Sequence, residues 1–179
     1  ETAFCLGDIS WISIKNKSRF TFILHNFFGN QSIAPTDLPP NTRHLDTYRE
    51  NIILSDKVFS AVPIGKGRID DAVNMVALSR GIEPAGLCTD PSLIGNININ
   101  SPRKLDDAMS DAALALAHHG QAVIVTPFTL LGAMTPVTLA AGLVQQNAEA
   151  LFGLAMIQAF YPGAPVVYGG FTSNVDMRS

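Results

Sequence analysis

Cysteine is scarce in this chain: Cys5 and Cys88 are the only two in 179 residues. They are too few for a disulfide scaffold and too far apart in sequence for a paired metal spacing. A reduced, cytoplasmic setting is the expectation that follows. Charge is also sparse, with 15% charged residues, a net charge of −3 and a pI near 5.7. That balance provides no electrostatic footprint for nucleic acid or an anionic membrane surface. Residues Glu1 to Trp11 show neither the basic start nor the apolar core of a signal peptide. The most apolar stretch, Val137 to Tyr161, is interrupted by Gln145, Gln146, Asn147, Glu149 and Gln158, which suits a helix buried in protein and not one in lipid. No P-loop, no Gly-x-Ser-x-Gly elbow and no Cys/His zinc spacing occurs. No lysine follows Lys104 in this sequence, which excludes a Schiff-base lysine on the last three strands that its pattern predicts.

What is present is a regular alternation. Hydrophobic residues make up 47% of the chain, enough for a sizeable core. A strand pattern over Ile94–Asn100 leads to Ser101-Pro102, which is expected to open a helix ending near His118-His119-Gly120. A second strand, Ala122 to Thr126, leads through Pro127-Phe128 to a long helix expected to be capped by Thr135, with Pro136 at its first position and Phe160 near its end. Its Leu139, Leu143 and Leu151 are expected to be buried in the complete protein. A third strand, Ala164 to Tyr168, ends in Gly169-Gly170-Phe171. Upstream, a helix is expected over Leu45 to Asp56, a strand over Val58 to Ile64, and a helix over Ile69 to Arg80 stopped by Gly81. A further strand is expected at Phe20 to His25.

Strands alternating with helices of this length indicate βα units and a parallel sheet. Four or five such units fall short of the eight in a closed (β/α)₈ barrel. The expected fold is therefore α/β, a TIM-type (β/α)₈ barrel of which this chain covers only part. Residues 1–43 form an irregular N-terminal segment and 44–179 the partial barrel. Parallel sheets bind ligands at the carboxyl ends of their strands. Two other motifs read as ordinary structure. Gly65-Lys66-Gly67 resembles a dinucleotide turn, but Asp70 stands where the third glycine would be and would repel a pyrophosphate. His118 and His119 are neighbours at a helix end, and adjacent helical side chains diverge by about 100°, so shared metal ligation is not expected. No metal site is assigned.

Several of these segments are specific. Asn98-Ile99-Asn100-Ser101-Pro102, Gln121 through Phe128, Gly132-Ala133-Met134-Thr135-Pro136-Val137-Thr138 and Gln145-Gln146-Asn147-Ala148-Glu149 occur in order, followed by Gly163 to Val166 and Gly169 through Ser179. Over residues 96–179 the chain resembles the trimethylamine methyltransferase family. The resemblance implies a barrel that takes a methyl group from a methylated tertiary or quaternary amine, such as a glycine betaine-like compound, and passes it to the cobalt of a separate corrinoid protein. It implies no directly bound cofactor, the corrinoid (cobalamin) being carried by that partner, and leaves self-association open. Neither nucleic acid nor membrane is expected as a partner. No pyrrolysine, used by the founding members, is present.

A quaternary ammonium has no N–H to donate, so aromatic faces and negative charge must hold it. Phe128 and Phe171 are candidates for the faces, with Tyr168 nearby, and Asp176 for the charge. Asn98 or Asn100 suits a substrate carboxylate, Thr126 finishes the central strand, and Gly170 allows close approach. Transfer to cobalt(I) needs no protein nucleophile, so no catalytic side chain is assigned. A lyase or aldolase on a parallel barrel, and a betaine-binding barrel without turnover, remain alternatives.

Overall fold

The computed structural model describes residues 38–54 and 58–174. The expected strand at Phe20 to His25, most of the 1–43 segment and Asp176 lie outside the described residues. Among those described, the chain runs α1 (Arg43–Leu54), β1 (Phe59–Ser60), α2 (Lys66–Arg80), a 3₁₀ turn at Pro84–Thr89, β2 (Leu93–Asn100), α3 (Asp107–His118), β3 (Ala122–Leu131), α4 (Leu139–Phe160), β4 (Val166–Tyr168) and β5 (Phe171–Asn174).

The strands form one parallel sheet in the order β1-β2-β3-β4, with β5 continuing along β3 beyond β4. The predicted order and direction of the four strands agree with this. The arrangement is compatible with part of a (β/α)₈ barrel, and the described strands do not close on themselves. In β2 the alternation of isoleucine and asparagine places Leu93, Gly95, Ile97 and Ile99 on a buried face and Asn96, Asn98 and Asn100 on the exposed one. β3 alternates in the same sense, burying Val123, Val125 and Leu131. The helices cover that buried face, where Ile97, Leu116, Val123, Val125 and Ile157 meet Ile69 and Val73 in a single core. No described helix covers the opposite face.

Several boundaries differ from expectation. Ser101-Pro102 does not open α3. Asn100 and Lys104 exchange backbone hydrogen bonds of 2.7 and 2.9 Å, closing residues 101–103 into a loop, and the helix starts only after Asp106. The strand expected over Val58 to Ile64 is reduced to Phe59–Ser60, extended by one bond from the Ala61 N–H to the Ile94 carbonyl. β3 runs five residues further than Thr126, through Pro127 to Leu131. Pro127 is accommodated because β4 pairing ends at Val125 and β5 pairing begins at Phe128, so one side of the ladder is already interrupted there.

The long helix also begins later. Thr138 is its N-cap residue, and Thr135 instead belongs to a turn in which the N–H groups of Ala133, Met134 and Thr135 all point at the Leu130 carbonyl. Gly132, with φ 82°, permits that turn. Among the described residues nothing covers Leu139, Leu143 and Leu151, which are 60%, 46% and 51% exposed; their expected burial concerns the complete protein. The face set against the sheet is Gly142, Gln146, Glu149, Ala150, Gly153 and Ile157. A Cβ on Gly153 would lie 2.7 Å from Val125 Cγ1, so the missing side chain lets α4 settle directly onto β3. Small residues dominate the face that meets the described sheet.

Candidate functional site

Register decides which side chains share a surface. Asn98 lies beside Thr126, and Asn100 lies beside Phe128, which in turn lies beside Phe171. Register partners in a sheet point to the same face, so these five predicted residues form two successive rows across β2, β3 and β5. The rows stand at the carboxyl ends of parallel strands, on the face that no described helix covers.

The chemistry within the rows is uneven. Phe128 and Phe171 stack with centroids 5.1 Å apart and planes 7° from parallel. Each ring therefore has one face against the other; Phe171 is 54% exposed, whereas Phe128, between Asn100 and Phe171, is half-buried. The Thr126 hydroxyl donates to Asn96 Oδ1. The Asn100 amide donates to Asp106 Oδ2 at 2.8 Å, which commits one of its two amide hydrogens to that carboxylate. The Asn98 side chain is exposed and makes no hydrogen bond to another described residue. Gly170 faces away from these rows: a Cβ there would collide with the Gln146 side chain, so it is α4 that approaches it. Tyr168 likewise turns toward α4, its hydroxyl donating to Asn147 Oδ1 at 3.1 Å.

A network on the covered side has no counterpart in the expectations. Glu149 of α4 is 4% exposed and accepts from the Ser101 hydroxyl at 2.5 Å, the Arg103 backbone N–H at 2.9 Å and the Gln145 amide at 3.0 Å. A cavity of about 340 Å³ beside it is bounded by Ile99, Leu105, Ala148 and Phe152. It lies behind the sheet and is separate from the two rows. The helical spacing of Gln145 and Glu149 is visible in the sequence, but their partners on the Ser101–Arg103 loop are not.

The remaining polar motifs resolve into structure. His119 pairs with Asp70 at 3.3 Å, and the His118 ring packs 5.5 Å from the Tyr161 ring. α2 begins directly at Lys66 of the Gly65-Lys66-Gly67 turn. Among the described residues, no three His, Cys, Asp or Glu side chains cluster as metal ligands would, and no helix is long and apolar enough to cross a membrane.

A parallel sheet with an aromatic pair and amides at its strand ends and helices on one face is that of an α/β protein, compatible with part of a barrel. The family model described as Trimethylamine methyltransferase (MTTB) matches residues 16–179, and the chain belongs to that family. It is 38% identical over 151 residues to a glycine betaine methyltransferase of Desulfitobacterium hafniense, covering 84% of this chain and 31% of that protein. It is 29% identical over 150 residues to a trimethylamine methyltransferase of the same species, covering 82% and 29%. A proline betaine:corrinoid methyltransferase of Eubacterium limosum is 30% identical over 89 residues, covering 50% and 18%. The chain thus spans less than a third of the length of each of these relatives.

Proposed function

We propose that this chain forms part of the substrate mouth of a (β/α)₈ barrel methyltransferase acting on a quaternary, betaine-like amine in the cytoplasm. The methyl group passes to the cobalt of a corrinoid protein, which is the chemistry that cofactor supplies when its protein docks. The observation carrying the reading is the convergence of Asn98, Asn100, Thr126, Phe128 and Phe171 on one open face at the carboxyl ends of parallel strands. That face fits a corrinoid presented from outside: Asn98, Asn100 and Phe171 are exposed on it.

The exposed ring of Phe171, stacked on Phe128, receives the trimethylammonium group, since a cation without N–H groups is held by ring faces. Asn98, with both amide hydrogens uncommitted among the described residues, donates to the substrate carboxylate. Asn100 turns its carbonyl oxygen away from Asp106 and toward the positively polarised N-methyl groups. Asp176, beyond the end of β5, would add negative charge, and Gly170 admits Gln146 behind the aromatic pair. The work of these residues is to fix the C–N bond in line with the incoming cobalt and to keep water from it, a positioning role.

The test uses the complete protein with its reduced corrinoid protein and a panel of methylamines and betaines. Methyl transfer from a betaine is expected. Phe171→Ala should raise KM by about 2- to 30-fold, the equivalent of about 0.5–2 kcal/mol of cation–π attraction, with the thermal midpoint unchanged. No transfer from any member of the panel, or unaltered kinetics in the variant, refutes the assignment.

A further inference from the structure

We propose that Glu149 is a positioning residue: its buried carboxylate, together with Gln145, ties the loop after β2 to the loop after β3 and thereby fixes how Asn100 is presented at the mouth. The inference rests on the reading of Asn100 as a substrate contact.

Asn100 is the last residue of β2, so sheet hydrogen bonding ends with it. Beyond it, residues 101–103 are closed by the paired backbone bonds between Asn100 and Lys104. Glu149 grips that loop at two points, the Ser101 hydroxyl and the Arg103 N–H, from a helix 46 to 48 residues later in the chain. Gln145, one turn earlier on α4, donates to Glu149 and also to the Met134 carbonyl at 3.1 Å. Ser101, Arg103, Glu149, Gln145 and Met134 therefore form one continuous chain of bonds joining two loops at the strand ends.

The residue type agrees with this role. Burying a carboxylate is costly unless hydrogen bonds replace its water. Glu149 faces three donors and no acceptor, and makes no ion pair with a described residue. An acceptor-only group is what three converging donors require. Neither Gln145 nor Glu149 reaches the open face, so any effect on substrate must pass through the loop and Asn100.

The experiment compares Glu149→Ala, Glu149→Gln, Asn100→Ala and the Glu149→Ala/Asn100→Ala double variant in the complete protein. Methyl transfer from glycine betaine and from trimethylamine is measured with the reduced corrinoid protein, and amide hydrogen exchange is followed in parallel. Glu149→Ala should raise KM about 10-fold while changing kcat less than about 3-fold, and in the Asn100→Ala background it should add less than about 2-fold. Glu149→Gln should return KM to within about 3-fold of the original. Its oxygen still accepts from Arg103 and Gln145, and the Ser101 hydroxyl can reverse to accept from the new NH2 group. Exchange at the Arg103 amide should speed up by about 10-fold or more in Glu149→Ala, with β3 amides unaffected. Should Glu149→Ala fail to fold, Ser101→Ala takes its place with the same signs and smaller effects.

Additive KM effects of Glu149→Ala and Asn100→Ala, or an unchanged Arg103 exchange rate, overturn the inference. If Asn100→Ala leaves KM unaltered, or neither probe is turned over, it is the substrate reading that fails, and the exchange rate alone decides whether Glu149 holds the loop.

Discussion

Gln121 offers a sharp test of how the sheet register is held. It is fully buried, at 0% exposure, in the turn between α3 and β3. Its Oε1 accepts from the Ser92 and Leu93 N–H groups at 2.8 and 2.9 Å, and its Nε2 donates to the Leu87 and His119 carbonyls at 2.9 and 2.7 Å. One amide thus uses both lone pairs and both hydrogens, and it pins the start of β2 to the start of β3. Gln121→Ala removes all four bonds and leaves the buried Leu93 N–H with no partner. An orphaned buried group costs about 1–3 kcal/mol. With Ser92 partly buried as well, the total should be about 2–5 kcal/mol, a large fraction of the 5–15 kcal/mol typical of a folded domain. Gln121→Glu should be no milder, because it turns an acceptor toward two carbonyls in place of a donor. Chemical denaturation of the complete protein, monitored for the transition that includes this sheet, measures the change. A loss below about 1 kcal/mol for Gln121→Ala would refute the reasoning, since backbone groups at the strand start would then have found other partners.

Three further outcomes follow from the same geometry. Burial pushes the Tyr48 hydroxyl up from 10.0 to about 12, so the unfolded chain releases this proton first as pH rises. Stability should be whole below pH 10 and fall between pH 10 and 12, by up to about 3 kcal/mol; Tyr48→Phe should lose that part of the pH dependence in denaturation curves, and an identical slope would contradict it. Gly120→Ala combines a φ of 66° with a Cβ placed 2.5 Å from the Cys88 carbonyl oxygen, whereas Gly81→Ala, at φ 65°, meets nothing within 4 Å. The first should cost about 2–4 kcal/mol and the second about 1 kcal/mol, and equal losses in denaturation would show that the backbone contact does not matter.

The parts legible in the sequence are those where neighbouring residues carry the signal. The alternation of Ile and Asn over residues 94–100 specifies a strand with one buried and one polar face, and Gly81 stops α2 in the left-handed conformation that the glycine suggested. Because the strands could be ordered, Asn100, Phe128 and Phe171 could be placed at one end before their registers were known. What stayed hidden depends on distant partners. Ser101-Pro102 has the local form of a helix start, yet Glu149 and the Asn100–Lys104 pairing turn it into a loop. Thr135-Pro136 has that form too, but three N–H groups converging on Leu130 place the helix start at Leu139. The contact of α4 with the sheet is made at Gly142 and Gly153, where missing side chains permit a close approach that apolar spacing along the helix does not reveal.

The two faces of the sheet divide their tasks. On the covered side, β2 is tied to its surroundings at both ends by buried polar groups: Gln121 at the amino end and Glu149 at the carboxyl end. Neither group touches the open face. The Asn98–Thr126 and Asn100–Phe128–Phe171 rows, by contrast, contribute little to the core, as the exposure of Asn98, Asn100 and Phe171 indicates. An exposed amide or ring is free to be chosen for what it binds, provided that the strand beneath it does not move. If a methyl group is to be held in line with a cobalt arriving on another protein, the tolerance is small, and a shift of about 1 Å can cost about 100-fold in rate. Rigid ties behind the sheet are therefore the physical condition under which side chains in front of it can act, and substitutions on the two sides should separate into losses of stability and losses of affinity.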